Sequence, residues 1–254
     1  MPAESKWPSV LYVVRHGESA GNVARALAEA TQEPLIDIAS RDVDVPLSPL
    51  GERQAAALGR WFQCMEPAAR PSVIRCSPYV RASTTASIVR EIGGFTDVPI
   101  VFDERLREKE FGILDRLTKF GIRMKHPEQA ELRRVLGKFY FRPPGGESWC
   151  DVILRLRSVV GTLTREYAGE RVLIVAHQVI VSSMRYLLEH MTEDGILAAD
   201  REHPIANCSV TSYVCDPSLG NAGRMVPDLF NFVAPLEAAG TKVTSEKDAP
   251  VAPK

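Results

Sequence analysis

Val10-Leu11-Tyr12-Val13-Val14 runs directly into Arg15-His16-Gly17-Glu18-Ser19-Ala20-Gly21-Asn22. The first five residues are apolar without alternation and β-branched or aromatic at four positions, the pattern of a strand covered on both faces in a parallel sheet. Charged and small polar residues begin where the apolar run stops. In open α/β sheets ligands bind outside the carboxyl ends of the strands, so Arg15 and His16 fall where a site belongs.

The same transition recurs. Val172-Leu173-Ile174-Val175-Ala176 is the clearest buried strand of the chain, and His177-Gln178 follows it. Pro71 to Ser77 reads as another strand, ended by Pro78, with Arg81 one turn into the next helix. Around these runs the turn and cap signals alternate with helical patterns. Ser48-Pro49 is an N-cap with proline at the first helical position, and Arg81 to Ile92 is a helix closed by Gly93-Gly94. Val98 to Phe102 is a brief strand near an edge, since Pro99 lies inside it. Pro143 to Gly146 breaks the chain before Ser148-x-x-Asp151, a capping box that opens a helix to about Tyr167. A helix over Val179–His190 and a strand over Ser209–Val214 complete the pattern. This alternation predicts an α/β fold, a three-layer αβα sandwich with a mostly parallel central sheet. Residues 17–45 separate poorly into helix and loop. Residues 105–142 are charged and irregular, with a helix over Pro127–Phe139.

Composition narrows the function classes. The 254 residues are 45% hydrophobic and 25% charged, ordinary for a globular chain that buries its own core. Lys plus Arg total 31 against 32 Asp plus Glu, a balance that argues against non-specific nucleic-acid binding. Five scattered cysteines suit neither a zinc site nor a disulfide framework, and read as thiols of a reducing compartment. No secretory h-region and no apolar run of about 20 residues is present, so the expected location is cytoplasmic, away from membranes.

If the strands are neighbours, two histidines and two arginines meet at one sheet edge. That set suits phosphoryl transfer. Guanidinium forks match phosphate oxygens, a neutral imidazole attacks phosphorus, and an imidazolium neutralises equatorial charge. An acid for the leaving oxygen is still needed. Glu104, Glu108 and Glu110 are candidates, and spacing alone does not choose among them.

Arg15 to Asn22 resembles the R-H-G-x-[ST]-x-x-N signature of the histidine phosphatase superfamily, the phosphoglycerate mutase-like family. Supporting blocks follow in family order: Pro46 to Ala55, Cys76 to Ala86, Leu106 to Gly112, Gly146-Glu147-Ser148 and Val172 to His177. The resemblance implies that His16 is the nucleophile that becomes a phosphohistidine. It implies that Arg15, Asn22, Arg81 and His177 bind the phosphoryl group and that Glu108 is the proton donor. It implies no metal and no organic cofactor. It implies a phosphorylated small metabolite as substrate, and no nucleic-acid or membrane partner is expected.

Two positions depart from the commonest pattern: Gln178 follows His177 where many relatives have glycine, and Ile113-Leu114-Asp115-Arg116 replaces x-x-E-G after Phe111-Gly112. Three functions are compatible: a phosphomonoesterase, a cofactor-dependent phosphoglycerate mutase, or a non-catalytic phosphate- or phosphoprotein-binding module. The Glu108–Glu147 segment lacks the long mutase arm and favours hydrolysis. The expected organisation is one domain over residues 1–236 with a lid insertion at about 105–145, and a disordered tail over 237–254.

Overall fold

A computed structural model describes residues 5–246. In chain order, β1 (Val10–Arg15), α1 (Ala20–Ala30) and α2 (Pro49–Gln63) precede β2 (Val73–Cys76), α3 (Val80–Gly93) and β3 (Ile100–Phe102). Then come α4 (Lys119–Lys125), α5 (Pro127–Tyr140), α6 (Trp149–Glu166) and β4 (Arg171–Ala176). The chain continues through α7 (Gln178–Leu188), α8 (Glu193–Glu202), β5 (Val210–Asp216), β6 (Arg224–Phe232) and α9 (Ala234–Ala238).

Among the described residues six strands form one sheet in the order β3-β2-β4-β1-β5-β6. The β1–β4, β2–β4 and β2–β3 pairs are parallel, while β5 runs antiparallel to both β1 and β6. The non-alternating runs lie at its centre because both faces are covered. Leu11 and Val13 of β1, with Val172 and Ile174 of β4, pack under α6 and α7. Tyr12 and Val14, with Leu173 and Val175, pack under α2 and α3. The parallel register Leu11↔Val172 and Tyr12↔Leu173 keeps these faces aligned. The expected αβα sandwich is the architecture observed.

The caps act as the sequence indicates. Ser48 Oγ accepts from the Gly51 amide at 3.0 Å at the start of α2. Ser148 and Asp151 exchange hydrogen bonds at the start of α6, and Gly94 turns left-handed at φ 71° after α3. Other elements escape the reading. α1 begins on a reciprocal cap between Ser19 and Asn22. α8 begins on Thr192, whose hydroxyl accepts from Gly195. β6 is an outer strand that contains Pro227 and stays largely exposed.

One expectation is overturned. Residues 237–246, assigned to a disordered tail, are laid along the body; residues 247–254 lie outside the described residues. Low apolar content suggested that this stretch cannot pack, but it is held by hydrogen bonds instead. Gln54 Nε2 donates to the Lys242 carbonyl and to Thr244 Oγ1, both at 2.9 Å. The Asn207 amide donates to the Thr244 carbonyl at 2.8 Å, and Thr244 Oγ1 donates to Asn207 Oδ1 at 3.1 Å.

Residues 105–145 form short 3₁₀ turns, α4 and α5 beside the carboxyl ends of the strands. They are tied to the loop after α1: Thr118 Oγ1 donates to the Glu33 carbonyl at 2.7 Å, and the Ile36 amide donates to Arg116 O at 2.8 Å.

Candidate active site

β1 and β4 are adjacent and parallel, so the residues that end them emerge side by side. His16 and His177 are both fully buried, with ring centroids 5.1 Å apart. Nδ1 of His16 lies 2.6 Å from the Gly17 carbonyl. A carbonyl only accepts, so Nδ1 carries the proton and the lone pair sits on Nε2. The loop bearing His16 is clasped by the start of α2. The Ser48 hydroxyl donates to Glu18 Oε1 at 2.6 Å, and the Glu18 amide donates to Gln54 Oε1 at 2.8 Å. The two backbones touch at paired glycines: a Cβ on Gly51 would stand 2.0 Å from the Glu18 carbonyl oxygen. From α3, Thr85 Oγ1 accepts from the Gly17 amide at 3.1 Å.

The arginines converge on the same place. Arg15 is buried and donates to the Ile205 carbonyl at 2.7 Å and to the Glu246 carbonyl. Asn22 Nδ2 also donates to the Glu246 carbonyl, at 3.2 Å. Arg81 is 1% exposed and donates to Asp42 O at 2.6 Å and Asp42 Oδ1 at 2.9 Å. Its guanidinium lies 4.9 Å from the centre of the Tyr79 ring.

His177 is held from two sides. The Ser77 hydroxyl lies 2.8 Å from Nε2, and Glu108 Oε2 lies 3.9 Å from Nδ1. Glu108 is 1% exposed, and its Oε1 accepts from the Lys109 amide at 2.7 Å. The competing carboxylates lie elsewhere. Glu110 accepts from the Tyr79 hydroxyl at 3.2 Å with its side chain 44% exposed, and Glu104 is exposed at the start of a 3₁₀ turn. Geometry therefore sets Glu108, of the three, beside the histidines.

The loop that carries Glu108 is fastened by Glu147. Its carboxylate accepts from Arg107 NH2 at 2.8 Å, from Arg155 Nε at 2.9 Å and from the Glu110 amide at 3.1 Å. Burial opposes the Glu147 charge, but Arg155, the Glu110 amide and Arg107 outweigh it and hold the carboxyl below its usual range. Asp115 goes the other way. Burial, with Asp42 and Glu110 nearby, pushes its carboxyl up to about 7.

The residues that the resemblance assigns to the site (Arg15, His16, Asn22, Arg81, Glu108 and His177) all lie at this one sheet edge. Gln178 is fixed to α8, donating to Asp200 Oδ1 at 3.3 Å, and Asp200 pairs with Lys138 of α5. Asp42, Ser77, Thr85, Glu147 and Asp200 complete the site without having been assigned a part in it. The usable signal was weak: Ser77 and Thr85 fall inside a family block, whereas Asp42 and Asp200 are reached only through space.

The family model described as histidine phosphatase superfamily (branch 1) matches residues 11–225. A 2,3-bisphosphoglycerate-dependent phosphoglycerate mutase 2 of Gloeobacter violaceus is 30% identical over 202 residues, 78% of this chain and 84% of that protein. A 6-phosphofructo-2-kinase/fructose-2,6-bisphosphatase of Caenorhabditis elegans is 28% identical over 84% of this chain, which spans only 41% of that protein. The structure of a mycobacterial glucosyl-3-phosphoglycerate phosphatase in complex with VO3 superposes with a TM-score of 0.67 at 26% identity. That match covers 89% of this chain and 100% of the other.

Proposed function

The chain belongs to the histidine phosphatase superfamily, and on that premise we propose that it is a phosphomonoesterase acting on a phosphorylated small metabolite through a phosphohistidine. The observation that carries the reading is the His16 tautomer. With Nδ1 bonded to the Gly17 carbonyl, the Nε2 lone pair is the group presented between Arg15, Arg81 and His177.

His16 Nε2 attacks phosphorus, the bond to the ester oxygen breaks, and its electron pair leaves with the alcohol oxygen. The Glu108 carboxyl group gives that oxygen its proton. Glu108, now a carboxylate, takes a proton from water, and the hydroxide attacks phosphorus while the phosphorus–nitrogen bond breaks. Phosphate leaves and both residues return to their starting states. Arg15, Asn22, Arg81 and His177 hold the equatorial oxygens, where fixed donors in a site closed to bulk water count most. Residues 105–145 form the lid of a single domain. Five unpaired cysteines among the described residues support a reducing, cytoplasmic setting. Among those residues no helix is long and apolar enough to cross a membrane.

The second reading is mutase transfer, favoured by the Gloeobacter violaceus relative. Rapid-quench labelling with a radioactive phosphoryl donor tests both. The expected result is an acid-labile label on the parent protein, none on His16→Ala, and decay at a rate indifferent to added glycerate. Normal labelling of His16→Ala would remove the nucleophile from the scheme. Label passing to glycerate faster than to water would make the protein a mutase.

A further inference from the structure

A cavity of about 130 Å³ opens beside Glu108 and Gln178, under the 105–145 segment. Phe111, Leu114, Leu117, Ile122, Phe141 and Trp149 give it an apolar lining. Leu114, Leu117 and Phe141 also pack together as a buried cluster with Ile122 against it. A dry apolar cavity of about 150 Å³ is enough to take a benzene ring. Hydroxyls placed against these apolar side chains would be left unpaired, which is penalised.

Cations line the same cavity. Arg25 of α1, Lys109 of the Glu108 loop and Arg133 of α5 come from three separate elements to line the same cavity. Arg25 has Glu29 at 3.1 Å, one helical turn away. Lys109 has its ammonium 4.4 Å from the Phe111 ring centre. Burial lowers the Lys109 ammonium to about 8; Glu108 opposes that fall and Arg133 adds to it. Arg133 is an exposed residue, yet partial desolvation of its guanidinium and then Arg25 lower it too; Asp200 opposes. Among the described residues, Asp200 is the carboxylate that favours the Arg133 charge, and Lys138 already pairs with it. Like charges brought together in a cleft mark a place for an anion.

We infer that this cavity receives the alcohol part of the substrate, and that this alcohol is an apolar, aryl-sized group ending in an anion held by Arg133 and Lys109. The inference rests on the phosphomonoesterase reading, and the test separates the two. Benzyl phosphate, 4-carboxybenzyl phosphate and 3-phosphoglycerate have alkyl leaving groups, so differences between them report the cavity. The 254-residue chain is expected to show a kcat/KM for 4-carboxybenzyl phosphate at least tenfold above benzyl phosphate, with both above 3-phosphoglycerate. Arg133→Ala is expected to lower the carboxylated ester at least tenfold more than the plain one, and Arg133→Lys to recover most of the difference. Equal use of the two benzyl esters, equal losses in Arg133→Ala, or preference for 3-phosphoglycerate would overturn the inference.

Calorimetry with benzylphosphonate and 4-carboxybenzylphosphonate reads the cavity without turnover. Tighter binding of the carboxylated phosphonate is expected. If it binds tighter but no ester is hydrolysed, the phosphomonoesterase reading fails and the cavity assignment stands. If the two bind alike while esters turn over, the cavity assignment fails alone.

Discussion

Ser77→Ala isolates what the residue after β2 does for the histidine after β4. Ser77 Oγ lies 2.8 Å from His177 Nε2, and both side chains are fully buried. The same oxygen accepts from the Tyr79 amide at 3.3 Å, so its position is fixed while its own proton remains to be shared with the imidazole. Alanine leaves Nε2 facing a methyl group with no hydroxyl to replace it. Losing one partner of a buried hydrogen bond costs about 1–3 kcal/mol. The charge that His177 counters is greatest in the transition state, so most of this cost falls on kcat. At about 1.4 kcal/mol per factor of ten, the expected loss is roughly 5- to 150-fold. The assay is steady-state turnover of an alkyl and a nitrophenyl phosphate, with urea unfolding of the same preparations to confirm the fold. Ser77→Cys, with a weaker donor, should fall between alanine and the parent. A folded Ser77→Ala protein with kcat within about twofold of the parent would refute the reasoning. So would a loss expressed wholly in KM.

Asp103 gives a pH prediction. Burial opposes its charge, but Arg105 and Arg75 outweigh that and hold the carboxyl at about 2, below the ordinary 3.8. A depressed carboxyl stabilises the fold above its unfolded pKa, and that stability is lost as pH falls from about 4 through 2. With the Arg105 side chain 24% exposed, the contribution is about 1–2 kcal/mol after solvent screening. Urea midpoints should therefore separate the parent from Asp103→Asn at pH 7 and converge near pH 2. A constant gap would be the wrong outcome. Truncation after Gly240 removes the Glu246 carbonyl from Arg15 and Asn22. KM and the inhibition constant for inorganic phosphate should fall about five- to thirtyfold, the worth of one or two hydrogen bonds, and unchanged constants would show that this carbonyl does not compete with phosphate for the two donors. Gly51→Ala forces a Cβ to within 2.0 Å of the Glu18 carbonyl oxygen. A loss of about 1–3 kcal/mol in stability, with slower phosphoenzyme formation, is expected from melting and labelling. A variant matching the parent in both would show that the close approach is dispensable.

The sheet was legible because its central strands carry unbroken apolar runs, which only double-sided burial explains. Arg15, His16, Arg81 and His177 were legible for a related reason, since each follows a strand or lies one turn beyond it, whereas Glu108 stood out from Glu104 and Glu110 only through the family block. What remained hidden has little signature along the chain. The reciprocal Ser19–Asn22 cap of α1 looks like a polar loop. β6 contains Pro227, which argues against a strand anywhere but on an outer edge. The 241–246 stretch carries almost no apolar pattern, and the donors that hold it belong to Gln54 and Asn207, far away in sequence. Asp42 reaches Arg81 across 39 positions, and nothing local to either residue announces the pair.

The strand order has a consequence for how activity arises during folding. β4 lies between β1 and β2, so the strand that delivers His177 also separates those ending at His16 and Ser77. A chain made only as far as α6 already contains Arg15, His16, Arg81 and Glu108, yet lacks the central strand that sets them around one point. Pairings between β1 and β4 join residues about 160 positions apart, the kind of distant contact that forms slowly. Insertion of β4 joins β1 to β2 and closes the pocket in one event. Refolding followed by catalysis and by tryptophan fluorescence should share its last, slow phase, with no turnover before it.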